Sequence, residues 1–291
     1  MIDMDTVKDI FNNKALTVSF EIFPPKGNLT TETVREVVQE LSGLEPDFIS
    51  VTCSAGGSGN SANTPAVASI VQDEFGIPSV AHMICAQATP ESVRETVTDL
   101  RSRGIRNVLA LRGDLASDEV PQHFRHAKEL IPLLKKAGFC VGAAAYPEGH
   151  IDCEDPAQNV EHLKQKQEAG ADFFVTQLAF DNEYIYRFME AADRAGVTQP
   201  ITCGIMPFLS KPQIERMVFM CGASLPSPII KLLAKHKDDA QALREAGINY
   251  ACQQLVGLAN HGVQGVHVYC MNQPDIARAA VEALRAAGVC R

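Results

Sequence analysis

The stretch Leu16-Thr17-Val18-Ser19-Phe20-Glu21-Ile22-Phe23-Pro24-Pro25-Lys26 reads as a buried β-strand that two prolines stop. Proline has no amide hydrogen for a strand ladder, so Pro24 and Pro25 end the strand and stiffen the chain that follows. Glu21 then lies at the carboxyl end of the strand among apolar neighbours, where partial desolvation favours its protonated form. Such a group can donate a proton near neutral pH. Taken alone, the segment favours a plainer alternative, in which Glu21 pairs with Lys26 or caps a loop.

A repeating unit of one helix and one strand follows this segment. A glycine comes after an amphipathic run and before an apolar run at Gly76, Gly104, Gly138, Gly170 and Gly196, and again at Gly262. A glycine in this place is typical of a helix end from which the chain enters a strand. The first five glycines are 28, 34, 32 and 26 residues apart, the length of one βα unit, and a gap of 66 residues precedes the sixth.

Eight apolar runs are predicted as strands, at residues 16–22, 47–53, 79–84, 106–111, 139–145, 172–177, 200–205 and 264–270. Most are continuous, which is typical of parallel strands covered on both faces. Helices fit between them, for instance at 30–41, 90–103 and 155–169, with more at 211–222 and 226–260. The pattern predicts one α/β domain over residues 1–291, a (β/α)8 TIM barrel with extra helices between strands 7 and 8. An open doubly wound sheet is the rival, but Pro24-Pro25 occupies the place of its glycine fingerprint.

Charge and composition restrict the class of protein. A net charge of −9 disfavours nucleic acid or an anionic membrane as the main partner. No apolar run approaches the roughly 20 residues of a membrane-spanning helix, and the acidic segment 1–5 does not look like a signal peptide. We therefore expect a cytoplasmic protein with reduced cysteines. The nine cysteines contain no Cys-x-x-Cys pair or ligand cluster, so no metal site is predicted.

Polar side chains end most of the predicted strands, and in a barrel these ends meet at the mouth that carries the active site. They are Glu21, Thr52, His82, Arg112, Gly113, Asp114, Tyr146, Glu148, His150, Gln177, Asp181, Tyr269 and Asn272. Singly, each has a structural alternative: His82 could be a bonded core residue and Gln177 a satisfied buried amide. Together they predict a small-molecule site. Glu21 and Asp114 face each other across this mouth, and two carboxyl groups in different environments can divide acid and electrostatic roles.

Two further segments are candidates for contact with an anion. The loop Gly56-Gly57-Ser58-Gly59, extended by Asn60 and Ser61, offers donors after strand two but lacks the dinucleotide-binding spacing. Asn159, His162 and Lys166 share one face of the helix after strand five, with Gln165 beside them. A solvated helix face is the alternative for this second group.

These segments resemble the methylenetetrahydrofolate reductase family in its short bacterial form. The matching segments are residues 19–26, 50–52, 82–85, 109–114, 146–150, 163–166, 176–181 and 204–207. The resemblance implies a barrel that binds FAD and reduces 5,10-methylenetetrahydrofolate to 5-methyltetrahydrofolate in one-carbon metabolism and methionine biosynthesis. It implies that hydride passes from NADH or NADPH to FAD and then to the folate iminium.

The resemblance also implies roles for individual residues. Glu21 matches the general acid of ring opening, and Asp114 matches a carboxylate near flavin and folate whose charge stabilises the cation. Gln177 matches a substrate-contacting amide, and Phe208 could substitute for an aromatic residue that covers the ligand in relatives. Gln165 stands where relatives carry a basic residue, which predicts a weaker hold on the diphosphate. The positions that match FAD contacts are Thr52, His82, Arg112, Gly113, Asp114, Tyr146, His150, Asn159, His162, Gln165 and Lys166.

Two alternative functions stay open at this point. One is a pterin-binding barrel methyltransferase without flavin, which would keep the folate contacts only. The other is a flavin-binding subunit that depends on a partner electron-transfer protein. The expected partners are therefore methylenetetrahydrofolate and NAD(P)H, with a protein electron donor and a homo-oligomer as further alternatives.

Overall fold

A computed structural model describes residues 4–25, 29–53, 63–86, 88–113, 123–153 and 155–290. Its centre is a closed barrel of eight parallel strands, in which each strand pairs with the next and the last pairs with the first. The strands are β1 (Thr17–Ile22), β2 (Phe48–Val51), β3 (Ser79–Ile84), β4 (Asn107–Leu111), β5 (Cys140–Ala145), β6 (Phe173–Thr176), β7 (Ile201–Ile205) and β8 (Gly265–Tyr269). The helices are α1 (Val7–Asn13), α2 (Thr31–Ser42), α3 (Asn63–Ser69) with a following π turn (Ile70–Glu74), α4 (Pro90–Ser102), α5 (Ala127–Lys136), α6 (Pro156–Glu168), α7 (Asn182–Arg194), α8 (Lys211–Cys221), α9 (Ser227–Lys235), α10 (Ala240–His261) and α11 (Pro274–Ala286).

The predicted (β/α)8 barrel is confirmed, and the extra helices α8, α9 and α10 lie between β7 and β8. The six glycines that were expected to end helices have φ angles between 67° and 109°. Glycine adopts this left-handed region without the clash that a Cβ atom would cause, so each helix can stop and turn into a strand. The βα period in the sequence therefore reflects a real backbone requirement.

Two helical details differ from the sequence prediction. The segment 226–260 forms α9 and α10 rather than one helix, because Asp239 caps α10 by accepting a hydrogen bond from the Ala242 amide at 2.9 Å. Helix α1 was not predicted, although Thr6 and Asp9 form a reciprocal capping box at its start. The spacing of those two residues is the local signal for a helix beginning there.

Helix α1 closes the amino-terminal end of the barrel. Phe11 of α1 packs in the barrel interior against Phe173, with ring centroids 6.3 Å apart, and Phe48 lies 6.4 Å from the same ring. All three side chains are buried, so this half of the interior is a packed apolar core. The open half is therefore the opposite one, where the strands end.

The larger core lies between the outer strand faces and the surrounding helices. In α2, Val34, Val38 and Leu41 recur at helical spacing and are fully buried. Burial of each such side chain contributes roughly 1.5–3 kcal/mol. Every helix in the described ranges is too short or too polar to cross a lipid bilayer.

Asn107, at the start of β4, fixes α1 to the barrel. Its Oδ1 atom accepts a hydrogen bond from the Val7 amide at 2.9 Å, and its Nδ2 atom donates to the Ser79 carbonyl at 3.1 Å. Asn107→Ala leaves both buried backbone groups without these partners, so we expect the free energy of unfolding to fall by about 1–3 kcal/mol. Urea unfolding measures this change, with Asn13→Ala at the exposed end of α1 as the control. An unchanged urea midpoint for Asn107→Ala would contradict the assigned role.

Candidate active site

A cavity of about 690 Å³ opens at the carboxyl ends of the strands. A groove between β4, β5, α5 and α6 adjoins it, and the two share Leu111, Arg112, Ala144, Tyr146 and His150 in their walls. We call the first the mouth cavity and the second the side groove. A cavity of this size is typical of small-molecule sites.

Glu21 lies near the end of β1, and its side chain is only 13% exposed. Its Oε2 atom is 3.6 Å from Nε2 of His82 and 3.6 Å from Nε2 of His267. These distances are just beyond hydrogen-bond range. Neither Nε2 atom has a hydrogen-bond partner among the residues that the structure describes. Two buried imidazoles therefore face one carboxyl oxygen, and a small movement would connect either of them to it.

His267 was missed by the sequence analysis. It lies in β8 and is fully buried, and its Nδ1 atom is 2.7 Å from the Ser19 hydroxyl. The signal that could have found it is its position two residues before Tyr269, since alternate residues of a strand face the same side.

The tautomer of His267 depends on where Ser19 donates its single hydroxyl proton. When Ser19 donates to the Val266 carbonyl at 3.3 Å, it accepts from Nδ1–H, and Nε2 of His267 can accept a proton from Glu21. When Ser19 donates to Nδ1, Nε2 carries the hydrogen and can donate to the carboxylate. The pair Ser19–His267 can therefore accommodate Glu21 in either protonation state.

His82 lies on β3 with a side chain that is 6% exposed. Burial, with a smaller contribution from His267, lowers the pKa of His82 to about 4 even though Glu21 opposes the shift. His82 is therefore a neutral imidazole at neutral pH. It can exchange a hydrogen bond with Glu21 but brings no positive charge to it.

Gln177 and Tyr269 also line the mouth cavity, and Tyr269 is paired with Glu21 in the register of β1 and β8. The Tyr269 hydroxyl donates to the Thr176 carbonyl at 2.6 Å, and burial raises the pKa of Tyr269 well above its ordinary value. The ring passes over Gly204, where an added Cβ atom would lie 2.5 Å from the tyrosine oxygen. The Gln177 carbonyl oxygen accepts from the Leu178 amide at 2.9 Å, which leaves the NH2 group of Gln177 for a ligand.

Arg112, His150 and Tyr146 form a ridge between the mouth cavity and the side groove. The Arg112 guanidinium donates to Asp152 at 2.8 Å and lies 3.5 Å from Nε2 of His150. The rings of Tyr146 and His150 meet edge to face, with centroids 4.8 Å apart. A flat ligand passing from one compartment to the other would contact this ridge.

The side groove is lined by basic side chains. Lys166 donates to the Ala144 carbonyl at 2.8 Å and lies 5.2 Å from the centroid of the Tyr146 ring, and burial lowers the pKa of Lys166 to about 8. The pKa of His162 is lowered by burial and by the charges of Lys166, Lys128 and His126. Lys128 and His126, on and beside α5, were missed by the sequence analysis because their position gave no motif.

The structure brings most predicted site residues together. The mouth cavity is lined by Glu21, Thr52, His82, Arg112, Gly113, Tyr146, His150 and Gln177. The side groove is lined by Arg112, Tyr146, His150, Asn159, His162, Gln165 and Lys166. Lys26, Asp114 and the loop segment 56–61 lie outside the described residues. Within the described ranges, no three His, Cys, Asp or Glu side chains are grouped as a metal site.

The predicted contact of Phe208 with the substrate stays a prediction, and the structure places this residue away from the cavity wall. Phe208 is fully buried behind the mouth and is not part of the cavity wall. Its ring packs with Ile214 and Leu243 and lies 6.2 Å from the ring of Tyr250. The apolar wall on this side comes instead from Met206, together with Met217 and Met220 of α8.

The amino-acid sequence matches one family of known proteins over nearly its whole length. The family model described as "Methylenetetrahydrofolate reductase" matches residues 6–285. The 5,10-methylenetetrahydrofolate reductase of Escherichia coli strain K12 is 32% identical over 270 residues, which cover 92% of this chain and 90% of that protein. Methylenetetrahydrofolate reductase 1 of Schizosaccharomyces pombe is 30% identical over 277 residues, which cover 92% of this chain and 46% of that protein.

A solved structure shares the fold. It is an uncharacterized protein from Clostridium thermocellum that binds two copies of 5-methyl-5,6,7,8-tetrahydrofolic acid. The TM-score is 0.70 with 16% sequence identity, and the match covers 97% of this chain and 99% of that one. At this identity the likeness establishes the barrel architecture.

The low pKa of His82 predicts how stability depends on pH. The folded protein protonates His82 near a pKa of about 4, whereas the ordinary value is 6.5, so the unfolded chain binds more protons between these values. Stability should therefore fall as the pH falls from about 6.5 toward 4. We expect His82→Asn to lose less stability than the parent between about pH 7 and pH 5 in urea unfolding. His123→Asn, at an exposed histidine, is the control, and equal losses in His82→Asn and the parent would contradict the prediction.

Proposed function

Because this chain belongs to the methylenetetrahydrofolate reductase family and is an oxidoreductase, we propose that it reduces 5,10-methylenetetrahydrofolate to 5-methyltetrahydrofolate with FAD as cofactor and NADH or NADPH as electron donor. The observation that carries this proposal is the position of Glu21. An enclosed carboxyl group that two imidazoles face, in a cavity of substrate size, suits a reaction that needs one proton at one place.

The residues of the two compartments fit a flavin dinucleotide. The side groove offers the cationic group of Lys166 for an anionic diphosphate, and the ridge at Tyr146 offers a flat surface for an aromatic ring. The unpartnered Nε2 of His82 gives the mouth cavity a buried polar atom for a ring heteroatom. When bound, FAD supplies the chemistry of hydride transfer between the nicotinamide donor and the folate. Thr52, Arg112, Gly113 and His150 would hold its ring system at the mouth.

Glu21 is the proposed general acid. Its proton goes to the folate nitrogen that leaves the methylene carbon, so one carbon–nitrogen bond breaks and a cationic iminium forms on the substrate. A hydride then adds to the iminium carbon to give the methyl group. A proton donor placed at the leaving nitrogen typically accelerates such a step by 10²–10⁴-fold, and the low exposure of Glu21 keeps bulk water from competing for that role.

Ser19 and His267 are proposed as positioning residues for this acid. A Ser19 hydroxyl that donates to Nδ1 of His267 keeps the ring hydrogen on Nε2, and from there the imidazole can donate to the carboxylate that remains after Glu21 gives up its proton. In this arrangement no proton passes to the imidazole, so the step adds no second charge to the site. His82 can donate to the same oxygen from the other side in its neutral form.

Gln177 and Asp114 complete the proposed folate contacts. Gln177 keeps a free amide group at the mouth and would donate to polar atoms of the pterin ring. Asp114 is proposed from the family resemblance as the negative charge near the iminium. A fixed charge of this kind stabilises a cationic intermediate without reorganisation during the reaction.

The proposal is tested by the visible spectrum of the purified protein under anaerobic conditions. A flavin band that bleaches with NADH or NADPH and returns with methylenetetrahydrofolate is the expected result. If neither NADH nor NADPH bleaches the flavin band and only a reduced electron-transfer protein does, the electron donor is that protein and not a nicotinamide. A colourless protein that binds no added FAD would overturn the proposal in favour of a flavin-free, pterin-binding methyltransferase.

Glu21→Gln should separate the two halves of the reaction. Glutamine preserves the size of the side chain but has no acidic proton, so folate reduction should slow by roughly 10²–10⁴-fold. Reduction of the flavin by the nicotinamide should stay near the parent rate, because that step needs no proton from Glu21. Stopped-flow absorbance measures both rates, and Glu36→Gln on the exposed face of α2 is the control. Folate turnover within a few-fold of the parent would show that Glu21 is not the acid.

A further inference from the structure

Lys128 is held in the side groove by a contact that links two helices. It is the second residue of α5, and its Nζ atom donates to Oε1 of Gln165 on α6 at 2.8 Å. Gln165 in turn donates through Nε2 to Glu161 at 3.2 Å, which fixes the amide with its oxygen toward Lys128. Both Lys128 and Gln165 are half-buried and line the groove. The lysine is therefore oriented, rather than extended freely into solvent.

The charges around Lys128 point to an anionic ligand. Lys166 and His162 line the same groove, and the pKa of His162 is lowered by burial and then by the positive charges of Lys166 and Lys128. Glu161 opposes this shift but does so least among the groups that contribute. The positive groups in this groove therefore lie close enough to repel one another. An anion bound in the groove would relieve that repulsion.

Gln165 cannot itself bind an anion by charge, and its carbonyl oxygen is occupied by Lys128. A lysine ammonium group has three hydrogens, so one bond to Gln165 leaves two donors for a ligand. We propose that Lys128, positioned by Gln165, binds the diphosphate of the dinucleotide cofactor and supplies from α5 the charge that position 165 on α6 lacks. This inference rests on the proposed flavin function and adds a residue to its binding site.

The test compares FAD with riboflavin, which has the same ring system but no phosphate. Lys128→Gln should weaken FAD binding by about tenfold, the size expected for one charged hydrogen bond. It should change riboflavin binding by less than about twofold and reduce the dependence of FAD affinity on salt, since one ionic contact is lost. Fluorescence quenching on titration of the apoprotein gives both dissociation constants. Lys136→Gln, on the exposed face of the same helix, is the matched control and should behave as the parent.

Two further variants separate binding from folding. Lys128→Arg keeps the charge and should stay within about threefold of the parent for FAD. The double variant Lys128→Gln with Gln165→Lys moves the charge to α6 and should recover most of the FAD affinity that Lys128→Gln loses.

Three results would overturn the inference. They are unchanged FAD affinity in Lys128→Gln, equal losses of FAD and riboflavin affinity, or no recovery in the double variant. A parent protein that binds no FAD would overturn the proposed function as well, so the two failures are distinguishable.

Discussion

The enclosure of one carboxyl group by two imidazoles constrains the whole site. Glu21 is too buried to be solvated freely, and His82, whose pKa is lowered to about 4, provides no counter-charge at neutral pH. A buried acid in this setting is stable only where hydrogen bonds can adapt to its proton. The proton of Glu21 is therefore controlled by hydrogen bonds to its neighbours. Solvent screens charges weakly in this cavity, so a small shift of the proton has a large electrostatic effect.

Positive side chains line both compartments of the site. In the mouth cavity, Arg112 is bonded to Asp152, so its charge is largely compensated. Lys128 and Lys166 lie in the side groove, behind the ridge of Tyr146 and His150. The mouth cavity therefore holds the enclosed Glu21, and the side groove holds the lysine ammonium groups suited to an anion. A ligand with a flat ring at one end and phosphates at the other matches that division.

Local sequence patterns were enough to predict the fold. The Ser19–His267 contact was missed because it joins residues far apart in the sequence. Helix ends at glycines and continuous apolar strands can be predicted from the sequence, because each depends on a few neighbouring residues. The bond between Ser19 and His267 joins positions 248 residues apart, and no local pattern marks it. The burial of Phe208 is likewise a long-range effect: Gly247 of α10 lies so close to the Phe208 carbonyl that an added Cβ would be 1.7 Å from it. That approach lets α10 cover the segment after β7, so the aromatic ring turns into the core.

Closure of the barrel has a consequence for how the protein is made. Glu21 is on the first strand and His267 on the last, and they become neighbours only when β8 inserts between β7 and β1. A barrel without β8 would lack His267 and would leave Glu21 open on that side. The surroundings of the acid therefore depend on contact between the two ends of the chain, so they form only when the barrel closes.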